Sequence, residues 1–181
     1  MKIIITLFLV FILNSLQSQE QQIIEPIKNV FFPLEVGNIY VYEVRNRKKV
    51  LCYDSTTIVR KFDADNFKGF TFYNKGTYFV KGDSIYIKYP HEQKQSFGYN
   101  LLYYPTYKDS EYPYFEGDCT HFQVYSSYLK TYKIGNKIYK NCFKFSFNKD
   151  RPNVVIIAYG IGIIQTIENG EFRNLIRVDL K

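Results

Sequence analysis

Short segments rich in β-branched and aromatic residues, separated by turn signals, run through most of this 181-residue chain. The segments from Ile39 to Val44 and from Ile138 to Phe147 are typical of strands, because such residues favour pleated, half-buried surfaces. Asn169-Gly170 is the signature of a tight hairpin turn, and no segment has a convincing helical period. The pattern predicts an all-β fold, an antiparallel barrel or sandwich with mostly meander connections.

The first residues indicate export. Lys2 gives a short positive start, and Ile3 to Leu13 is an apolar run too short to span a bilayer. Polar residues follow at once, and no cysteine follows the apolar run as a site for lipidation. We therefore expect residues 1–18 to be a cleaved signal peptide, with cleavage after Ser18 and no transmembrane anchor.

The remaining chain has the length of one domain. We expect residues 19–30 to form a flexible N-terminal lead and residues 31–181 to form a single β domain. Export places this domain in the periplasm, on the cell surface or outside the cell.

The chain is basic, with a formal net charge of +7 from 24 Lys and Arg against 17 Asp and Glu. Its lysines are scattered between aromatic residues, which indicates a solvated surface more than a nucleic-acid site. Because an exported protein is also separated from nucleic acid, we expect no nucleic-acid partner. A glycan, a peptide or an envelope protein remain the candidate partners.

Residues 90–118 differ from the rest, with three prolines and many tyrosines. We expect a long loop there with one strand, from Tyr99 to Tyr104. The rings provide either a stacking surface for a sugar or a peptide, or a plug that completes the core. The candidate ligand-binding residues are Tyr99, Tyr103, Tyr104, Tyr107, Tyr112, Tyr114 and Phe115.

Three cysteines allow at most one intramolecular disulfide. Cys119 and Cys142 share strand faces with polar residues, which an oxidising compartment can reach. We therefore predict a disulfide between Cys119 and Cys142 that leaves Cys52 free. The alternative is three unpaired thiols.

No constellation of catalytic or metal-binding residues stands out. His91 and His121 are the two histidines, and with the scattered cysteines they lack metal-ligand spacing. Cys119 and His121 form the one local pair of nucleophile and base, but the neighbouring Asp118 disfavours a reactive thiolate. We predict no metal, no cofactor and no catalytic residue.

Two motifs carry a resemblance. The segment from Phe32 to Tyr42, FPLEVGNIYVY, and the segment from Ala158 to Ile164, AYGIGII, stand near the two ends of the chain. Together they resemble a broad group of uncharacterised exported β-domain proteins of Gram-negative bacteria, which open with F-P-L-x-x-G-N-x-W/Y-x-Y and close with A-x-G-I/V-G-x-I/V. Tyr40 stands where such proteins often carry Trp. The resemblance implies an envelope or extracellular setting and implies no activity.

Three functions fit these observations. The first is a non-catalytic binding or interaction module of the bacterial cell envelope. The second is a hydrolase whose active-site residues are distant in sequence. The third is a structural subunit of a surface assembly. A pocket with convergent polar groups of shifted pKa would favour the hydrolase over the binding module.

Overall fold

Strands make up all the regular secondary structure in the described part of the chain. A computed structural model describes residues 21–28, 30–64, 66–73, 76–89, 98–116, 120–147 and 153–181. The strands, in chain order, are β1 (Gln22–Ile24), β2 (Ile39–Arg45), β3 (Val50–Ala64), β4 (Phe67–Phe72), β5 (Gly76–Lys81), β6 (Ser84–Tyr89), β7 (Gly98–Tyr103), β8 (Ser110–Glu116), β9 (Thr120–Ile134), β10 (Lys137–Phe147), β11 (Asn153–Ala158), β12 (Gly162–Glu168) and β13 (Glu171–Asp179). No helix in these ranges is long and apolar enough to cross a membrane.

Two-residue turns connect several of these strands. Asn169 and Gly170 join β12 to β13 with φ of +49° and +82°, as the tightest hairpin turns require. Gly135-Asn136 joins β9 to β10, and Gly82-Asp83 joins β5 to β6. The turn signals of the sequence therefore fix where the chain reverses.

The strands form one sheet in the order β7-β6-β5-β4-β3-β2-β13-β12-β11-β10-β9-β8. All neighbours in this order are antiparallel. They are also consecutive in the chain, with the exception of β13 and β2. β7 and β8, although consecutive in the chain, stand at opposite ends of this order. The all-β prediction with meander connections is confirmed.

Strand β1 is the exception to the meander, because it pairs in parallel with β10 over Lys137 to Tyr139. β11 pairs with β10 only from Cys142 onward. β1 pairs with the part of β10 that precedes Cys142, on the edge that β11 leaves unpaired. Part of the segment expected to be a flexible lead is therefore held in the sheet.

The core consists of two groups of buried side chains that meet. One group contains Tyr40, Ile58, Phe72 and Ile164 among others, and the second contains Phe31, Phe143, Phe145 and Ile157 among others. Four half-buried side chains contact both groups and join them into one core. They are Phe32, Tyr78, Val80 and Ile163.

β11 has five consecutive buried residues after Asn153. Val154, Ile156 and Ala158 face the first core group, and Val155 and Ile157 face the second. A strand covered on both faces needs apolar residues at every position, which explains the near-continuous apolar run in the sequence.

Two details differ from the sequence-based expectation. The region expected to be mostly loop contains β8 as well as β7, and Pro113 lies within β8. Proline is tolerated there because β8 is an edge strand, where one backbone donor is not needed. Cys142 does not lie on a polar face: it is fully buried, because the first core group covers the side of β10 opposite Phe143 and Phe145.

Candidate functional site

A cavity of about 410 Å³ lies between the N-terminal segment, which contributes Lys28 and residues 30–35, and strands β3 to β6. We call this space the cavity. Its apolar wall is formed mainly by core side chains, so it opens directly onto the place where the two core groups meet. The apolar side chains that define it are Phe31, Phe32, Leu34, Phe70, Val80 and Ile85.

Backbone hydrogen bonds at Lys28 and Val30, and side-chain hydrogen bonds to Pro33, hold the two ends of this segment. At the first end, the Lys28 N–H donates to the Gly160 carbonyl at 3.1 Å and the Gly160 N–H donates to the Val30 carbonyl at 2.8 Å. At the second end, the Pro33 carbonyl accepts from Asn38 Nδ2 at 2.9 Å and from the Tyr40 hydroxyl at 2.6 Å.

Glycine is required where this segment meets the β11–β12 hairpin. A β-carbon on Gly160 would collide with the Lys28 carbonyl oxygen, and one on Gly162 would collide with the Phe32 ring. Both glycines also have positive φ, +73° and +109°, which other residues rarely adopt. The glycines of the closing motif therefore serve close packing.

The opposite wall of the cavity comes from one face of β4 and its neighbours. Lys68, Phe70 and Phe72 alternate along β4 and therefore share a face. Phe70 stands opposite Lys61 in the ladder with β3, and Lys68 stands opposite Val80 in the ladder with β5. This face thus presents apolar side chains with two lysines at its margin.

Five charged side chains line the cavity. Lys28, Lys61 and Lys68 supply positive charge, and Glu35 and Asp83 supply negative charge. Among the residues that the structure describes, no ion pair involves any of these five. Lys61 Nζ lies 5.8 Å from the centre of the Phe70 ring, a cation–π contact that leaves its donors open.

The predicted aromatic loop divides into buried and exposed rings. Tyr103 is buried, with its ring centre 5.0 Å from that of Phe145. Tyr112 is half-buried, and its hydroxyl donates to the Leu102 carbonyl at 3.0 Å. These two rings complete the core, which is the alternative that the sequence left open.

Tyr104 and Tyr107 are exposed. The Tyr107 ring packs 4.9 Å from that of Tyr128. The side chains of Tyr99, Tyr114 and Phe115 lie outside the described part of the chain. The ligand-binding role predicted for this set of residues stays a prediction.

The described cysteines occupy opposite environments. Cys52 is exposed, whereas Cys142 is buried in the core, where its Sγ contacts the Tyr139 carbonyl at 3.6 Å. Burial raises the pKa of the Cys142 thiol to about 12. Cys119 lies outside the described residues, so the disulfide between Cys119 and Cys142 stays a prediction.

Buried tyrosine hydroxyls form a second set of groups whose pKa values are shifted. Desolvation raises the pKa of Tyr139 to about 12 and raises the pKa values of Tyr40, Tyr42 and Tyr112 further. Each of these hydroxyls donates to a backbone carbonyl, and none lines the cavity. Their role is therefore to satisfy polar groups within the fold.

No group of three His, Cys, Asp or Glu side chains suitable for a metal ion occurs within the described ranges. His91 lies outside those ranges. The backbone of His121 lies inside them, but its side chain is not described.

Sequence reasoning missed the cavity. A signal was present, because Lys68, Phe70 and Phe72 place a lysine on the same strand face as two core aromatics. Which face of β4 points inward was not determined by the local pattern, since Phe67 occurs on the other face.

Comparison with known proteins gives distant structural similarity only. The sequence matches no protein-family model and no curated protein. A candidate lipoprotein from Parabacteroides distasonis is 9% identical, with 83% of this chain and 99% of that chain covered and a TM-score of 0.42. A candidate exported protein with a YmcC-like fold from Bacteroides fragilis is 10% identical, with 84% and 100% covered and a TM-score of 0.43.

Proposed function

We propose that the protein is an exported, non-catalytic binding module that holds an apolar small molecule, or the apolar part of an amphiphile, in the cavity. The observation that carries this proposal is a space of about 410 Å³ lined by core aromatic and aliphatic side chains. Small-molecule sites in proteins are typically about 300–1,000 Å³ and mostly apolar, with a few polar groups that orient the ligand.

The location of the cavity supports binding. Phe31, Phe70 and Ile85 are buried members of the core and also line the space. An apolar ligand there would gain contacts with side chains that are already ordered, so it would not have to order the site itself.

The polar groups of the cavity support binding without chemistry. Its carboxylates, Glu35 and Asp83, are exposed, and among the described residues neither forms an ion pair that would position it. Acid–base catalysis needs a group held within hydrogen-bond reach of the reacting atom. Among the described residues that line the cavity, no histidine or cysteine would supply another such group.

Residues 1–18 support the exported part of the proposal, because they have the order of a signal peptide. Mass spectrometry of the exported protein should find an N-terminus within a few residues of Gln19. A retained Met1 in exported material would contradict this expectation.

The binding proposal is tested with the neutral probe N-phenyl-1-naphthylamine, whose fluorescence rises in apolar surroundings. The exported protein should bind it saturably at one site. Val80 lines the cavity, so Val80→Phe fills part of the space and should weaken binding by about ten-fold, equivalent to about 1.4 kcal/mol. Val59→Phe is the matched control, because Val59 is exposed on β3 and outside the lining.

Circular dichroism and thermal melting establish that each variant is folded. If Val80→Phe is unfolded, Val30→Phe replaces it, because Val30 lines the cavity and is itself exposed. Absence of saturable binding, or equal loss in the Val59→Phe control, would overturn the proposal.

A further inference from the structure

We infer that the ligand is a single-chain amphiphile with an anionic oxyanion head group, a carboxylate or a phosphate, and that Lys61 and Lys68 bind this head group. The inference rests on the proposed function, since it assigns the chemistry of the ligand that the same cavity holds.

The two lysines face the cavity as a result of strand alternation. Lys68 shares its face of β4 with Phe70, which is buried in the core. Lys61 stands opposite Phe70 on β3 and therefore lies on the same face of the sheet. Both lysines thus belong to the face that forms the cavity wall, and both line the cavity.

Protection of a sheet edge does not explain these lysines. Inward-pointing charges often prevent edge strands from pairing with other molecules. However, β3 lies between β2 and β4, and β4 lies between β3 and β5, so neither strand is at an edge.

Internal charge neutralisation does not explain them either. Asp63 stands directly opposite Lys68 in the ladder, yet within the described residues no carboxylate lies within ion-pair distance of Lys61 or Lys68. An ammonium group at the margin of an apolar space keeps its three donors for an incoming acceptor.

The apolar part of the ligand would lie along one row of side chains that crosses β5 and β6. From Lys68 the ladders lead to Val80 on β5 and then to Ile85 on β6. Neighbouring strands are about 4.8 Å apart, so this apolar row extends about 10 Å from the lysine. A head group at Lys61 and Lys68 would therefore place an alkyl chain of medium length along Val80 and Ile85.

The inference is tested by displacement of N-phenyl-1-naphthylamine with three twelve-carbon amphiphiles below their micellar concentrations. Dodecanoate should displace the probe at a concentration about ten-fold lower than dodecanol or dodecyltrimethylammonium, because charge-assisted hydrogen bonds form only with the anion. The difference in displacing concentration between dodecanoate and the other two amphiphiles should shrink as salt is added, because Lys61 and Lys68 are exposed and salt screens their charge. Inorganic phosphate alone should displace nothing.

Variants locate the head-group site. Lys61→Gln combined with Lys68→Gln should weaken dodecanoate binding by about ten-fold more than it weakens binding of the neutral probe. Lys48→Gln combined with Lys49→Gln is the matched control, because it removes the same charge from an exposed turn outside the lining. The control should bind dodecanoate like the unmodified protein.

The outcomes separate this inference from the proposed function. If the neutral probe does not bind at all, the proposed function fails. If the probe binds but dodecanol or dodecyltrimethylammonium competes as well as dodecanoate, or if the two double variants behave alike, the anionic head group is wrong while the binding module stands.

Discussion

The aromatic ring of Phe32 lies against Gly162 so closely that no β-carbon fits between them. The two residues are 130 positions apart in the sequence, one in the opening motif and one in the closing motif. Phe32 also lines the cavity and stacks near Phe72, with ring centres 6.5 Å apart. This contact therefore sets the distance between the cavity wall and the β11–β12 hairpin.

Gly162→Ala should destabilise the protein strongly. The φ of +109° is unfavourable for alanine, at about 1–3 kcal/mol, and the collision with Phe32 adds an overpacking cost of about 1–3 kcal/mol. Urea unfolding measures the loss. Gly170→Ala is the control, because its φ is +82° but no atom lies within 4 Å of the added carbon. Equal losses in the two variants would contradict the role of the Phe32 contact.

Substitutions of Tyr103 and Tyr104 should differ in their effect on the free energy of unfolding. Tyr103→Ala removes a buried ring and should cost about 3–5 kcal/mol, as large-to-small changes of core aromatics do. Tyr104→Ala, with its side chain 48% exposed, should change the free energy of unfolding by less than about 0.5 kcal/mol. A small loss for Tyr103→Ala would show that its ring is dispensable for the core.

Thiol labelling should distinguish the described cysteines. Iodoacetamide at pH 8 should modify exposed Cys52 in the native protein and leave Cys142 unmodified, because Cys142 is buried and its pKa is raised to about 12. Peptide mapping by mass spectrometry identifies the modified residues. Rapid native labelling of Cys142 would contradict its burial.

The same map tests the predicted disulfide between Cys119 and Cys142. Unfolding in urea without reductant exposes Cys142 in either case. Labelling of Cys142 under those conditions excludes the bridge. The bridge is established if Cys119 and Cys142 both require reductant and the non-reduced map contains a peptide that joins them.

Stability should fall in alkaline solution. Tyrosine in the unfolded chain ionises with a pKa near 10, whereas desolvation raises the pKa of Tyr139 in the folded protein to about 12. Between these values the unfolded state has lost the proton and the folded state retains it, so stability decreases as pH rises from about 10 to 12. Below about pH 9 this contribution is fully present.

Urea midpoints at pH 8, 9.5 and 11 measure the decrease. Tyr139→Phe removes the hydroxyl and should make the decrease shallower, with Tyr53→Phe, an exposed site, as the control. Identical slopes in the two variants would show that Tyr139 does not contribute.

Local sequence patterns predicted most of the strands and turns, although they missed β1 and β8. The alternation around Phe143 and the Asn169-Gly170 turn each report a local constraint, and each appears in the fold. By contrast, Cys142 was assigned to a polar face because Lys144 and Ser146 share its alternation. Whether a strand is covered on one face or two depends on which distant strands pack there, and alternation alone does not contain that information.

The cavity could not be predicted from the sequence for the same reason. Its walls come from Lys28, residues 30–35 and strands β3 to β6, which local sequence patterns do not show to be neighbours. The approach of the N-terminal segment to the β11–β12 hairpin, which Gly160 and Gly162 permit, is likewise a contact between distant parts of the chain. The aromatic loop was easier to see, because seven rings within seventeen residues stand out in a sequence. Prominence in the sequence did not distinguish the core ring of Tyr103 from the exposed ring of Tyr104.

The pairing of β2 with β13 has a consequence for the order of folding. Every other ladder of the meander joins strands that are consecutive in the chain, whereas this ladder joins Tyr40 to Val178. Loop closure over such a separation is slow compared with hairpin formation. The central ladder of the sheet therefore cannot form until β13, Glu171–Asp179, has been synthesised.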